Sequence, residues 1–356
     1  MLRMHKAGYF AILCLSLVTC LATVTSAGVS NPDISVIGQI ISGHTDDPVS
    51  ENANAATLNL GETELVFDAY LNPYAKGFFV FTVGDAGLGA EEAYVAISKG
   101  LPGTLNLKGG KYRIGFGKLN PLHPHAYPFI EAPRVLSAML PGGKDGFNDA
   151  GAQGSVLLPS FGSWASDLSL DALNGSSFHP GQTKASAAWV GRWSNSLLIH
   201  DESPLELGVS ATQGANNVQW KTKSDVYGAD IKNRIPFSAL TNLTLQGEYF
   251  YNNSDVIVDT TTGSFNVPGR QGFYAFADLK FWQRCNAGVI YDQYQPPENK
   301  DFTNRAIKFF AGYALLEETT LFRLAYEQFM PEGYPVVHTY TFQVLFSMGP
   351  HKPHQF

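Results

Sequence analysis

Sixteen stretches of this chain alternate apolar and polar side chains, and that repetition limits the folds open to it. The predicted strands are Ile34–Gly43, Leu58–Tyr70, Lys76–Val83, Glu92–Ser98, Thr104–Phe116, Ala150–Leu158, Trp164–Ala172, Ala185–Trp193, Leu205–Ala211, Trp220–Lys232, Leu243–Tyr251, Gly272–Trp282, Asn286–Tyr294, Arg305–Leu315, Leu321–Phe329 and His338–Met348. A period of two is the pattern of a sheet with unlike faces. In the second stretch Thr63, Leu65, Phe67 and Ala69 fall on one face, and Glu62, Glu64 and Asp68 on the other. Many of the stretches approach the roughly 9–11 residues that a tilted membrane strand needs. After Ala27 no run reaches the roughly 18 apolar residues of a spanning helix. Lipid tolerates no open sheet edge, so strands cross it only as a closed barrel. A soluble β-sandwich alternates too, but sixteen similar strands with aromatics near their ends favour a barrel.

Link lengths add an orientation. Every second link is generally short, as at Leu71–Ala75, Lys99–Gly103 and Gln283–Cys285, while the others include His44–Thr57, Gly117–Asp149 and Asn252–Gln271. Short periplasmic turns and long external loops are the barrel habit. Ser194–Pro204 is read as a link and is long for its side. Gly117–Asp149 becomes the third external loop. It carries five prolines and has no sustained period, which suits a segment folded inward. The reading is therefore all-β: a 16-stranded antiparallel transmembrane β-barrel with an inward-folded third extracellular loop.

The N-terminus sets the compartment. Arg3 and Lys6 precede an apolar run at Tyr9–Ala22, and Thr25-Ser26-Ala27 offers a cleavage site, so residues 1–27 read as a signal peptide and residues 28–356 as one domain. Cys20 raises a lipoprotein alternative, though Thr19 is bulky for the position before a lipidated cysteine. Cys285 alone remains after the leader, which excludes an internal disulfide. A net charge of −7 argues against a nucleic-acid partner.

No HExxH, P-loop or G-x-S-x-G motif is present, and the chain is read as non-enzymatic. The apolar set changes near Gly109-Gly110 from Leu105 and Leu107 to Tyr112, Ile114 and Phe116, which calls for a bulge or glycine bend there that keeps both sets outward and turns Lys111 and Arg113 inward. With Lys76, Arg192, Lys280, Lys308 and Arg323 they are the basic pore-lining candidates; Glu62, Glu64 and Asp68 are the acidic ones. Each base also fits a lumenal salt bridge. His123-Pro124-His125 sets two imidazoles at i and i+2, a spacing that suits zinc as well as local packing, and His351 and His354 form a second spaced pair. Asp145-Gly146-Phe147-Asn148-Asp149 offers two carboxylates for a cation or simply a polar turn. Zinc apart, no cofactor is expected.

The stretch Lys111–Asn120 followed by His123-Pro124-His125 resembles the phosphate-selective porin-like family of outer-membrane barrels, as does the end of the chain from Phe342 to Phe356. It looks closest to a branch sometimes labelled zinc-regulated TonB-dependent outer membrane receptors. The resemblance implies a 16-stranded barrel, often a homotrimer in outer-membrane lipid, that passes small hydrophilic solutes or ions by diffusion. It departs in the loop, where Gly117–Asp149 holds only Lys118, Arg134 and Lys144 in place of a base-rich throat. The receptor label implies a barrel of about 22 strands with a plug, for which this chain is too short. A binding protein or sealed barrel linked to zinc uptake is the alternative function.

Overall fold

The computed structural model describes residues 32–350 apart from 85–86, 183, 201–202, 260, 262–263, 267, 298 and 316–318. The leader, Cys14, Cys20, His351, His354 and Phe356 lie outside the described residues. The strands are β1 (Asp33–Thr45), β2 in two pieces (Ala56–Leu60 and Thr63–Tyr70), β3 (Ala75–Gly84), β4 (Gly87–Ile97), β5 (Leu105–Arg113), β6 (Asn148–Leu157), β7 (Trp164–Leu173) and β8 (Ala188–His200). They continue as β9 (Ser203–Asn217), β10 (Thr222–Ser238), β11 (Thr241–Ser254), β12 (Gly269–Phe281), β13 (Cys285–Tyr294), β14 (Asn304–Ala314), β15 (Thr320–Met330) and β16 (Val337–Met348). A two-stranded hairpin, Val256–Asp259 with Ser264–Asn266, stands in the link after β11.

Each strand pairs antiparallel with the next, and β1 pairs with β16 from Val36↔Met348 to Thr45↔Thr339, so the sheet closes on itself. Both pieces of β2 lie on β1, and the Gly61 N–H donates to the Gln39 carbonyl at 2.9 Å across the break. The two pieces are one strand, and the count is sixteen. Closure satisfies the main chain without an edge.

The two faces are inverted relative to a soluble protein. On β7, Leu170 is 58% exposed while its neighbour Asp171 is fully buried. Leu168, Trp193 and Val209 sit opposite one another across β7, β8 and β9, all exposed. Ser169, Ser210 and Thr212 of the same strands are buried. Apolar residues face out and polar ones in, the arrangement a barrel needs in lipid.

The interior is filled by the segment between β5 and β6, residues 114–147, which carries two 3₁₀ turns and one short helix, α1 (Arg134–Met139). Its Phe116 stacks on Phe250 at 6.3 Å, and its Phe129 meets Phe276 and Phe310 edge-on at 5.4 and 5.5 Å. Each of those wall residues is buried. Burying one such ring is worth about 1.5–3 kcal/mol, so this loop and the inner wall share one core.

Four expectations change. β5 pairs with β6 in unbroken register from Leu105↔Val156 to Arg113↔Asn148, so no bulge falls at Gly109-Gly110. Tyr112, Ile114 and Phe116 are fully buried rather than outward. Lys111 is exposed on the face opposite Tyr112, with its ammonium donating to the Ala90 carbonyl at 2.7 Å. The error arose because the inner wall is apolar wherever the loop packs on it, so an aromatic side chain does not mark the outer face. Finally, Ser194–His200 and Pro204 are strand: Ser194, Asn195 and Leu197 pair with Gly208, Leu207 and Leu205 of β9, and Asn195 lies on the outer face, where Trp164 donates to it at 3.0 Å.

If the outer belt meets lipid, Val209→Arg near the middle of β9 should lose about 2–4 kcal/mol in a bilayer. Unfolding in lipid vesicles, followed by tryptophan fluorescence, reads the loss. Unchanged stability would put that face in water.

Candidate functional site

The loop leaves the wall at Arg113 and returns at Asn148, and Asn120 clips its ends together. The Asn120 amide donates to the carbonyls of Ile114 at 2.7 Å and Phe147 at 3.0 Å, and its oxygen accepts from the Phe147 N–H at 2.8 Å. Gly117 then brings the backbone against β11, where the Glu248 carboxylate accepts the N–H groups of Lys118 and Leu119, both at 2.9 Å. The positive φ of Gly117, +67°, suits glycine, and a Cβ there would run into the Glu248 carboxylate.

Farther on, Arg323 of β15 donates to the carbonyls of His125 (2.8 Å), Tyr127 (2.7 Å) and Phe129 (3.2 Å). The Arg134 guanidinium pairs with Glu327 at 2.6 Å, the Arg134 main-chain N–H donates to Asp292 at 3.0 Å, and Asn252 donates to the Met139 carbonyl at 2.7 Å. These anchors lie on β11, β13 and β15; with Glu206 of β9 and the glutamates of β2 and β4, the loop touches the wall on every side.

The densest chemistry lies where the loop meets β2 and β4. Pro124 opens a 3₁₀ turn, Pro124–Ala126, and fixes the imidazoles of His123 and His125 in a stack, ring centres 5.6 Å apart. His125 Nδ1 lies 3.0 Å from one Glu64 oxygen, and His123 Nδ1 lies 3.3 Å from the other. His123 Nδ1 is also 3.4 Å from Glu91, and its Nε2 is 2.9 Å from Glu92. Two consecutive glutamates reach one ring because β4 is irregular. Val80 pairs with Glu92 and Phe81 with Ala90, leaving Glu91 as the extra residue of a bulge that aims it inward. All of Glu64, Glu92, His123 and His125 are buried. Burial opposes a charge on His123, but its hydrogen bonds to Glu64, Glu91 and Glu92 outweigh it and hold its pKa well above the ordinary histidine range.

One ligand atom each from Glu64, His123 and His125 lie within 4.8 Å of one another. Two imidazoles and a carboxylate suit a borderline divalent metal. The cluster is therefore able to coordinate a metal ion.

The other predicted site residues scatter. Lys76 pairs with Asp68 at 2.8 Å, Arg113 with Glu91 at 2.8 Å and Arg192 with Asp230 at 2.7 Å. Lys308 lies 3.5 Å from Glu327 and 3.6 Å from Glu131. Lys280 shares the inner face of β12 with Asp278 but is exposed at the short-turn end, and Glu62 is exposed. Lys111 lies outside, so it does not line the interior. Asp149 accepts from Ser176 Oγ at 2.7 Å and Ser177 N–H at 3.1 Å, which makes it a turn cap. Sequence reasoning missed Asn120, Glu91 and Glu92. The pair Glu91-Glu92 breaks the period of two, and that was the one available signal.

No family model matches the chain. An uncharacterized protein of Aquifex aeolicus (strain VF5) is 25% identical over 357 residues, covering 88% of this chain and 72% of the relative. Among solved structures the chain is similar to an anion-selective porin from Comamonas acidovorans (TM-score 0.59, 11% identity, 89% of this chain and 99% of that one). It is similar to the outer membrane channel DcaP of Acinetobacter baumannii (TM-score 0.59, 10% identity, 89% and 98%). OmpT of Vibrio cholerae, in a trimer form, aligns with a TM-score of 0.58 at 9% identity over 90% of this chain and all of that one. At such identities the likeness is one of fold. An apolar-jacketed closed barrel of this fold is an outer-membrane protein.

Gly117→Ala should displace Glu248 and strain the backbone by about 1–3 kcal/mol. Protease cleavage within residues 118–146 should then rise sharply while the barrel keeps its heat-modifiable gel mobility. Equal protection in both proteins would remove Glu248 as an anchor.

Proposed function

We propose that the protein is an outer-membrane channel for the passive diffusion of small hydrophilic solutes or ions, with loop 114–147 setting the aperture and no covalent chemistry involved. The observation that carries this reading is the loop itself, folded inside a porin-fold barrel against a charged inner wall. A homotrimer in outer-membrane lipid fits the fold, since one of the similar structures is a trimer.

A phosphate throat finds no support. Two of the loop's three bases are taken, Lys118 by Glu206 and Arg134 by Glu327, and the third, Lys144, is exposed. The TonB-dependent receptor label does not fit a barrel of sixteen strands whose interior is filled by the segment between β5 and β6.

A second reading is a closed barrel that binds a metal. It is favoured by the ring of loop–wall contacts and by Glu64, His123 and His125, where zinc is the expected ion.

Planar-bilayer recording under a salt gradient separates the two. Discrete conductance steps are expected from the folded protein, with larger steps when residues 121–144 are replaced by a short Gly–Ser link. Steps of equal size in the two proteins would remove the loop from control of the aperture. Silence from both, shown to be folded, would reject diffusion.

A further inference from the structure

We propose that Glu64, His123 and His125 hold one divalent transition-metal ion, and that this ion latches the loop to the barrel wall. The latch deepens the second reading above; the binding stands apart from any channel activity.

Four observations carry the site. First, spacing. A tetrahedral ion with bonds of about 2.0–2.1 Å keeps its donors about 3.3 Å apart. His125 Nδ1 and His123 Nδ1 stand 3.0 and 3.3 Å from the two Glu64 oxygens, and one donor atom from each of the three residues lies within 4.8 Å of the others, so a small closing movement brings the three to such edges. Second, charge. Glu64, Glu91 and Glu92 stand 3.3, 3.4 and 2.9 Å from the one buried His123 ring, with the Arg113 guanidinium on Glu91. Three carboxylates converging on one buried ring make a place that suits a dication.

Third, donor type. Calcium and magnesium prefer oxygen throughout, whereas two imidazoles with a carboxylate select zinc-like ions. Fourth, origin. Glu64 comes from β2 and Glu92 from β4, while both histidines come from the loop. Neither body has the full set, so an ion bound here joins the two. Glu92, at 2.9 Å from His123 Nε2, orients that ring from behind, the usual partner of a metal-bound histidine. It is a positioning residue.

The test uses the full-length folded protein in detergent. Calorimetric titration with Zn²⁺ should show one saturable site per chain, with no such site for Mg²⁺. His125→Gln should weaken Zn²⁺ binding more than ten-fold, and Glu92→Gln should weaken it by roughly ten-fold. Zn²⁺ should also slow protease cleavage within residues 118–146 several-fold in the wild type and not in His125→Gln. No saturable binding to wild-type protein of intact heat-modifiable mobility would overturn the site, as would equal affinity in His125→Gln. Binding without added protection would overturn the latch. The wild-type titration needs no variant, so misfolding of a variant leaves the proposal open to refutation. Bilayer silence beside tight Zn²⁺ binding would sink the diffusion reading and leave the site standing.

Discussion

A closed ring of sixteen strands satisfies its main chain but encloses more space than its own side chains fill. Lipid imposes the closure, because an open edge in hydrocarbon would cost several kcal/mol for each unpaired group. What occupies the interior is then a separate problem, and this chain answers it with one segment. Residues 114–147 bring aromatic side chains to meet those of the wall in one core, and the wall supplies the charged partners that the loop needs. The outer face follows the solvent, while the inner face follows the loop.

That division explains how much was legible in the sequence. Strand number and the outer belt were readable because a period of two survives in strands such as β2 and β7, where leucines alternate with carboxylates. The inner face was less readable. Tyr112 faces the lumen and donates its hydroxyl to Asp171 at 2.8 Å, yet in sequence it counts as an outward aromatic. Lys111 was misassigned by the same step. The serines and asparagine of Ser194–His200 were read as a link, because polarity at a strand end looks like a loop until its partner strand is known. The histidine pair was visible through its spacing. Its partner Glu64 lies 61 residues from His125, and Glu92 lies 31 from His123, and no local pattern announces such a meeting.

Most lumenal bases sit on a carboxylate, and Arg323 sits on carbonyls and Gln343. Buried carboxylates such as Asp171 and Glu248 are instead met by hydroxyl, amide and main-chain N–H groups. The junction of β2, β4 and the loop gathers three glutamates around one guanidinium and two imidazoles. Similarity of fold to an anion-selective porin therefore says little about what this interior attracts.

Arg323 shows how such a loop tolerates change. Its hydrogen bonds to the loop reach the main-chain oxygens of residues 125, 127 and 129. A clamp of that kind reads the path of the chain and ignores its spelling. Substitutions along the loop can alter what the interior presents while the same guanidinium keeps the segment on course, so the barrel is a frame into which different linings can be written.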